Sequence, residues 1–375
     1  MKFDRIQTIS QSLVPGRVLV IYGPRRVGKT TLLNNYLSTI TDQSVFLGVG
    51  DDMRIRELFA TESREKLLDF ASRYSTIAID EAQMVKSLGI GVKMIIDAYP
   101  EKSIILTGSS SFDLSSQIVE PLTGRHYTLT LLPIAQSEIS ASRFELESAL
   151  EHYVLYGAYP EVLLAPDSAM RERILNELVS SYLYKDVLAL EKIKSPDTLR
   201  DIARMIAFQI GQEVSHNEIA VALKIDVKTV GRYLDLLEKM FVIYRVRGWS
   251  RNLRNEINKK ARYYFVDNGV RNAVIGQFSA LAQRNDVGAL WENFVFMELR
   301  KQSILHHRLF DSFYFWRTHT GAEVDIIREA NGKLDAFECK WNKRASAPRL
   351  WTETYPDSSF ATIDKQNYLD FFLNK

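Results

Sequence analysis

Residues Gly23-Pro24-Arg25-Arg26-Val27-Gly28-Lys29-Thr30 set two glycines, a lysine and a hydroxyl side chain at the spacing of a phosphate-binding turn. The segment follows the apolar run Val18–Tyr22 and precedes a helix-like stretch. Such a turn needs a buried strand before it and a helix after it, so it commits this part of the chain to an α/β sheet. Its glycines let successive backbone N–H groups close around phosphate oxygens, Lys29 reaches the terminal phosphates, and the Thr30 hydroxyl ligates magnesium. The residues expected to hold ATP and Mg2+ are these eight together with Thr31. A glycine-containing turn leading into a helix is the plainer alternative.

The surrounding pattern agrees with a parallel sheet covered on both faces. Short apolar runs at Val18–Tyr22, Val45–Val49, Thr76–Asp80, Ser103–Thr107 and Tyr127–Leu131 alternate with helix-like stretches. A length of 375 residues favours more than one domain. No apolar run approaches the roughly 20 residues that cross a bilayer, and Met1–Ser10 has no signal-peptide character, so the expected location is the cytoplasm with no membrane partner. The single cysteine, Cys339, excludes an internal disulfide framework and a cysteine-based zinc site. A net charge of +2 argues for no particular partner, which leaves the distribution of charge to be read.

Thr76-Ile77-Ala78-Ile79-Asp80-Glu81 ends a second apolar strand on two carboxylates, at the sheet edge where ligands of open α/β sheets gather. Asp80 would hold magnesium and Glu81 would polarise the attacking water. Acids that suit a helix N-terminus are the other reading. Thr107 and Ser109, after the next strand, are candidates to sense the terminal phosphate or orient water, although hydroxyl residues also serve as caps there.

From about Ile134 to Gln212 the periodicity is helical, as in Ile174, Leu175, Leu178, Val179, Tyr182 and Leu183. Ser215 then starts a short helix, Lys224-Ile225-Asp226 interrupts it, and a second helix runs from Val227 to Met240. Strand-like runs at Phe241–Val246 and Arg262–Val266 complete a winged-helix pattern. Arg245, Arg247, Arg251, Arg254, Lys259, Lys260 and Arg262 form a basic stripe opposed only by Glu256, with Trp249, Tyr263 and Tyr264 interleaved. The stripe suits sequence-independent phosphate contacts. It also suits a protein-contacting module with a charged, aggregation-resistant strand edge.

After a helix around Leu290–Lys301, strands are expected near Phe313–Trp316, Glu323–Arg328 and Lys333–Lys340, followed by a last α/β segment. Asp325 sits on one arm of a hairpin, and Glu338 and Lys340 share a face of the other by the period of two. With Glu292 from the helix, these residues are the kind that bind a divalent ion and cut phosphodiesters, Asp325 and Glu338 being the metal ligands and Lys340 lying beside the attacking water. A hairpin whose exposed face carries alternating charges fits the same pattern.

Taken together, GPRRVGKTTL, IAIDEAQ, ILTGSSSF, LTGRHYTLTLLPIAQSE, YGAYPEV (Tyr156–Val162), YLYKDV (Tyr182–Val187), GAEVDII and FECKW resemble a group of prokaryotic AAA+ ATPases that join an AAA_14 domain to a DUF4143 region. The resemblance implies an α/β fold in four parts: a P-loop domain over 1–135, a helical lid or linker over 136–212, a winged helix over 213–270 and a PD-(D/E)xK nuclease-like domain over 271–375. It supports Lys29, Thr30, Asp80 and Glu81 for ATP, and Glu292, Asp325, Glu338 and Lys340 for a nuclease-like centre using Mg2+ or Mn2+. It also implies a finger role for Arg125, presented to the nucleotide of a neighbouring subunit in a homo-oligomer; a solvated arginine beside a turn is the alternative. No sensor arginine is recognisable in the lid region. The function expected is an ATPase that couples nucleotide state to DNA binding or processing. The alternative is an ATP-controlled switch whose C-terminal region only docks a protein partner.

Overall fold

A computed structural model describes residues 3–41, 44–60, 63–109, 120–180, 195–250, 260–308, 310–342 and 345–373. Arg251, Arg254, Lys259 and Glu256 of the basic segment, Tyr182, Leu183 and the Tyr182–Val187 motif lie outside the described residues. The chain divides into two compact units. One gathers Arg5–Leu132 with Lys239–Phe241, and the other holds Met1–Asp4, Pro133–Glu238 and Val242–Lys375.

The first unit is built on β1 (Val18–Tyr22), β2 (Val45–Val49), β3 (Thr76–Asp80), β4 (Ser103–Gly108) and β5 (His126–Thr130), all parallel in the order β2-β3-β4-β1-β5. Continuous apolar runs are what a parallel sheet buried on both faces requires. Alternation then divides each run between two cores. Val18 and Val20 join Ile77, Ile79, Ile104 and Leu106 on one face. Leu19 and Ile21 join Ala78, Ile105 and Leu129 on the other. Helix α1 (Lys29–Leu37) contributes Leu33 to the second core, and α2 (Leu88–Ala98) contributes Leu88, Val92 and Ile95 to the first. Because β4 stands between β1 and β3, the ends of all three strands meet at one edge of the sheet.

The second unit begins with helices whose ends are set by local chemistry. In α3 (Ser168–Val179) the Asp167 side chain accepts from the Met170 N–H, and in α4 (Pro196–Phe208) Ser195 accepts from Thr198 with Pro196 in the first turn. Ser215 caps α5 (His216–Leu223), Lys224 ends it in a left-handed conformation, and α6 (Val227–Lys239) follows. Asp267 caps α7 (Asn268–Ile275) by accepting from Gly269 and Val270.

Strands β6 (Glu213–Val214), β7 (Ile243–Gly248), β8 (Ala261–Phe265), β9 (Ser312–Arg317), β10 (Glu323–Ala330), β11 (Lys333–Cys339) and β12 (Ser359–Ile363) form one sheet in the order β12-β11-β10-β9-β7-β8-β6. Strand β7 starts at Ile243, two residues after Phe241 with its positive φ of 57°. The long helix α8 (Val287–Leu305) packs on β8 and β11, with Trp291, Val295 and Phe296 buried. Sequence reading separates 136–212, 213–270 and 271–375, whereas the structure holds them in one unit. The join is the parallel pairing of Arg247 and Gly248 on β7 with Tyr314 and Phe315 on β9.

Candidate functional site

The turn after β1 is closed by backbone geometry that favours glycine. Gly23 has φ 155°, and a Cβ there would run into the Leu131 carbonyl; Gly28 has φ 96° and forms the N-cap of α1. Lys29 is only 6% exposed, and its Nζ donates to the carbonyls of Gly23 (2.9 Å) and Pro24 (2.7 Å), holding the turn from inside. Burial pushes its pKa down to about 8, against the opposing pull of the Glu81 and Asp80 charges.

Thr30 Oγ1 donates to Asp80 Oδ2 at 2.7 Å, and Thr107 Oγ1 donates to Asp80 Oδ1, so both carboxylate oxygens of this buried residue are fixed by hydroxyls from α1 and β4. Glu81, the next residue, turns out of β3 with φ 51° while its N–H donates to Thr107 Oγ1 at 3.3 Å. Gln83 Nε2 donates to the Glu81 carboxylate and to Ser109 Oγ (3.2 Å). Lys29, Thr30, Asp80, Glu81 and Ser109 therefore converge. Thr31 is exposed on α1, and the Val27 side chain is fully buried.

The second unit carries a polar centre where β8, β10 and β11 meet α8. Asp325 Oδ2 accepts from the Cys339 N–H at 2.8 Å and lies 3.9 Å from Lys340 Nζ, which donates to Glu338 Oε1 at 2.6 Å. Glu292 Oε1 accepts from the Tyr264 hydroxyl at 2.6 Å, with Arg262 Nη1 at 3.4 Å. Burial, then the Asp325 charge, pushes the Glu292 pKa up to about 8; burial also raises those of Asp325 and Glu338. Arg262 Nη2 reaches Glu323 Oε2 at 3.1 Å while its guanidinium lies 4.4 Å from the centre of the Phe315 ring. Glu292, Asp325, Glu323, Arg262 and Arg317 line one cavity of about 570 Å³; Glu338 and Lys340 meet Asp325 from the neighbouring strand. Among the described residues no group of three or more His, Cys, Asp or Glu is arranged to hold a metal ion.

Comparison with known families resolves the chain into three consecutive matches. Residues 15–140 match AAA_14, an AAA domain; residues 147–281 match DUF8612 and residues 287–362 match DUF4143, both domains of unknown function. An AAA_14 match followed by a DUF4143 match is the domain composition of the prokaryotic group that the sequence motifs resemble.

Uncharacterized relatives include one from Mycobacterium tuberculosis, 26% identical over 96% of this chain and 78% of its own length. Another, from Haemophilus influenzae, is 27% identical over 94% of this chain and 86% of its own. A third, from Methanocaldococcus jannaschii, is 26% identical over 85% and 74%. Among solved structures, AMPPCP-bound DnaA from Aquifex aeolicus is similar over 59% of this chain and 81% of its own, at 16% identity and a TM-score of 0.30. Pif1 helicases at forked duplex DNA match 43% of this chain and 48% of theirs, at 11% identity and a TM-score of 0.25.

Several residues sit differently from their sequence reading. Arg125 immediately precedes β5, beside Val18 at the start of β1, so about 17 Å of strand separates it from the phosphate turn. Its Nε donates to Asp97 Oδ1 at 2.6 Å. Arg262, read as part of a surface stripe, is 4% exposed and belongs to the carboxylate centre. Tyr263 and Tyr264 are buried rather than available for stacking, and Trp249 packs edge-on against Tyr314. Sequence reasoning missed Gln83, Tyr264, Glu323 and Arg317. The alternation that pairs Arg262 with Tyr264 and Glu323 with Asp325 was the available signal for two of these residues, Tyr264 and Glu323.

No helix among the described residues is long and apolar enough to cross a membrane.

Proposed function

We propose that this protein binds and hydrolyses ATP with magnesium and that nucleotide state governs its engagement of DNA. The observation that carries the ATPase reading is the convergence of Lys29, Thr30, Asp80 and Glu81 at the edge where β1, β4 and β3 end. Lys29 would exchange the Gly23 and Pro24 carbonyls for phosphate oxygens, and the N–H groups of the turn would cradle the phosphates. Thr30 and Asp80 supply hard oxygen donors that fit magnesium, an ion often held by one or two carboxylates plus substrate phosphates. When bound, the ion would offset phosphate charge. Glu81 would take a proton from the attacking water, with Gln83 and Ser109 setting the direction of its carboxylate.

The remoteness of Arg125 from its own phosphate turn favours a finger that serves a neighbouring copy, and so a homo-oligomer. The pair α5 and α6 with β7 and β8 supports a winged-helix reading, and Arg247 and Lys260 supply exposed cations for DNA phosphates. The hairpin of β10 and β11 with α8 supports the nuclease-like reading of the DUF4143 part. Within it, binding is favoured over cutting: Lys340 neutralises Glu338, Tyr264 satisfies Glu292 and Arg262 fills the space beside them. Magnesium or manganese at Asp325 and Glu338 would have to displace Lys340 from Glu338.

ATP hydrolysis measured with and without single-stranded, duplex and branched DNA tests the coupling. Stimulation is expected. ATPase activity indifferent to every DNA, with a specific protein partner found instead, would make the protein an ATP-controlled docking switch.

A further inference from the structure

A second cavity, of about 400 Å³, opens where the first turn of α5 meets β7 and β8. Arg245, Arg247 and Lys260 line it, and no carboxylate does. Arg245 is balanced from behind by Glu238 at 3.4 Å. Among the described residues Arg247 and Lys260 have no ion pair, and both are exposed. Two uncompensated cations in one concave site attract an anion more strongly than scattered surface lysines do, because the surrounding protein limits screening. The N-terminus of α5 lines the same cavity. There the N–H groups of His216 and Asn217 have no acceptor within the helix, and Ser215 Oγ takes that of Glu218. His216 also lines the cavity, its Nε2 3.1 Å from the Tyr263 hydroxyl, and burial followed by the Arg245 charge holds its pKa below the usual range.

We propose that this cavity is a phosphate-binding site, in which Arg247, Lys260 and the first turn of α5 grip one phosphoryl group. Its acceptor-rich, compact ligand matches the donors present: two long cationic side chains, an imidazole and backbone amides. Lys260 also lines the carboxylate cavity, so the two cavities share a wall. The site deepens the DNA-engagement reading and rests on it only for the source of the phosphate. A nucleic-acid strand and a small phosphorylated compound offer the same group.

The test follows the His216 ring resonance in full-length protein carrying labelled histidine, assigned by its loss in His216→Gln. Inorganic phosphate and a short single-stranded oligonucleotide are added separately, with chloride at matched ionic strength as the control. Both are expected to raise the His216 pKa by about one unit. Arg247→Glu with Lys260→Glu should abolish that shift and weaken oligonucleotide binding at least about tenfold. Both substituted side chains are exposed, and circular dichroism together with Lys260→Ala alone separates a lost site from a lost fold. A shift with phosphate but not with the oligonucleotide keeps the site, assigns it to a small ligand and removes the strand from it. If neither ligand moves His216, or if the double reversal leaves shift and affinity unchanged, the proposal is overturned, even where the protein binds DNA elsewhere.

Discussion

Burial lowers the Lys29 pKa from 10.5 to about 8, which brings loss of its proton within reach of mildly alkaline pH. Phosphates restore the charged form, so nucleotide binding takes up protons. Calorimetry at pH 8 in buffers of different ionisation heat should therefore give different apparent enthalpies, and ATP affinity should fall as pH rises above 8. Stability of the ligand-free fold runs the other way. The folded pKa lies below the unfolded one, so the contribution of this group becomes more favourable as pH rises from 8 to 10.5. Buffer-independent enthalpies would show that Lys29 is already charged before ligand arrives. Changing Lys29→Ala should remove nucleotide binding, whereas Glu81→Gln should keep it and lower turnover on the order of 10²-fold or more. Steady-state hydrolysis and direct nucleotide binding separate the two, and parental turnover by Glu81→Gln would remove Glu81 from the role of base.

At the scale of elements, sheet order and alternation decide what residue spacing leaves open. The phosphate turn was legible because its residues are contiguous, and β1 to β5 because fully buried parallel strands read as apolar runs. Arg262 was not. It stands among basic neighbours in sequence, yet its face of β8 is chosen by Glu292 on α8 and Glu323 on β10, both far along the chain. Arg125 shows the same limit: only the parallel pairing of β5 with β1 reveals that it lies at the edge opposite the phosphate turn. Hydrolysis by Arg125→Ala should fall on the order of 10³-fold with ATP affinity kept. Mixing that variant with inactive Lys29→Ala protein should restore part of the rate. No recovery in demonstrated mixed assemblies would leave Arg125 to its ion pair with Asp97.

The α7 cap gives an independent check on the second unit. Buried Asp267 accepts from the N–H groups of Ala158 (2.7 Å), Gly269 (2.9 Å) and Val270 (3.2 Å). Asp267→Ala leaves those donors without an acceptor and should cost roughly 2 to 4 kcal/mol in a denaturant titration. A loss below about 0.5 kcal/mol would mean that water or a rearranged backbone replaces the cap.

For the whole molecule, the seven-stranded sheet means that the sequence patterns of a winged helix and of a nuclease-like hairpin are parts of one folding unit. A chain ending at residue 270 would lack β9 and leave the end of β7 with unpaired backbone groups, a template for aggregation. Such a truncation should be recovered insoluble or poorly folded, and a soluble, cooperatively unfolding fragment would argue that the helix pair and its strands are self-sufficient. If each phosphate turn relies on an arginine from another copy, activity per molecule depends on how many copies are present. Dilution then slows the enzyme and local accumulation starts it, so crowding becomes the signal to which hydrolysis responds.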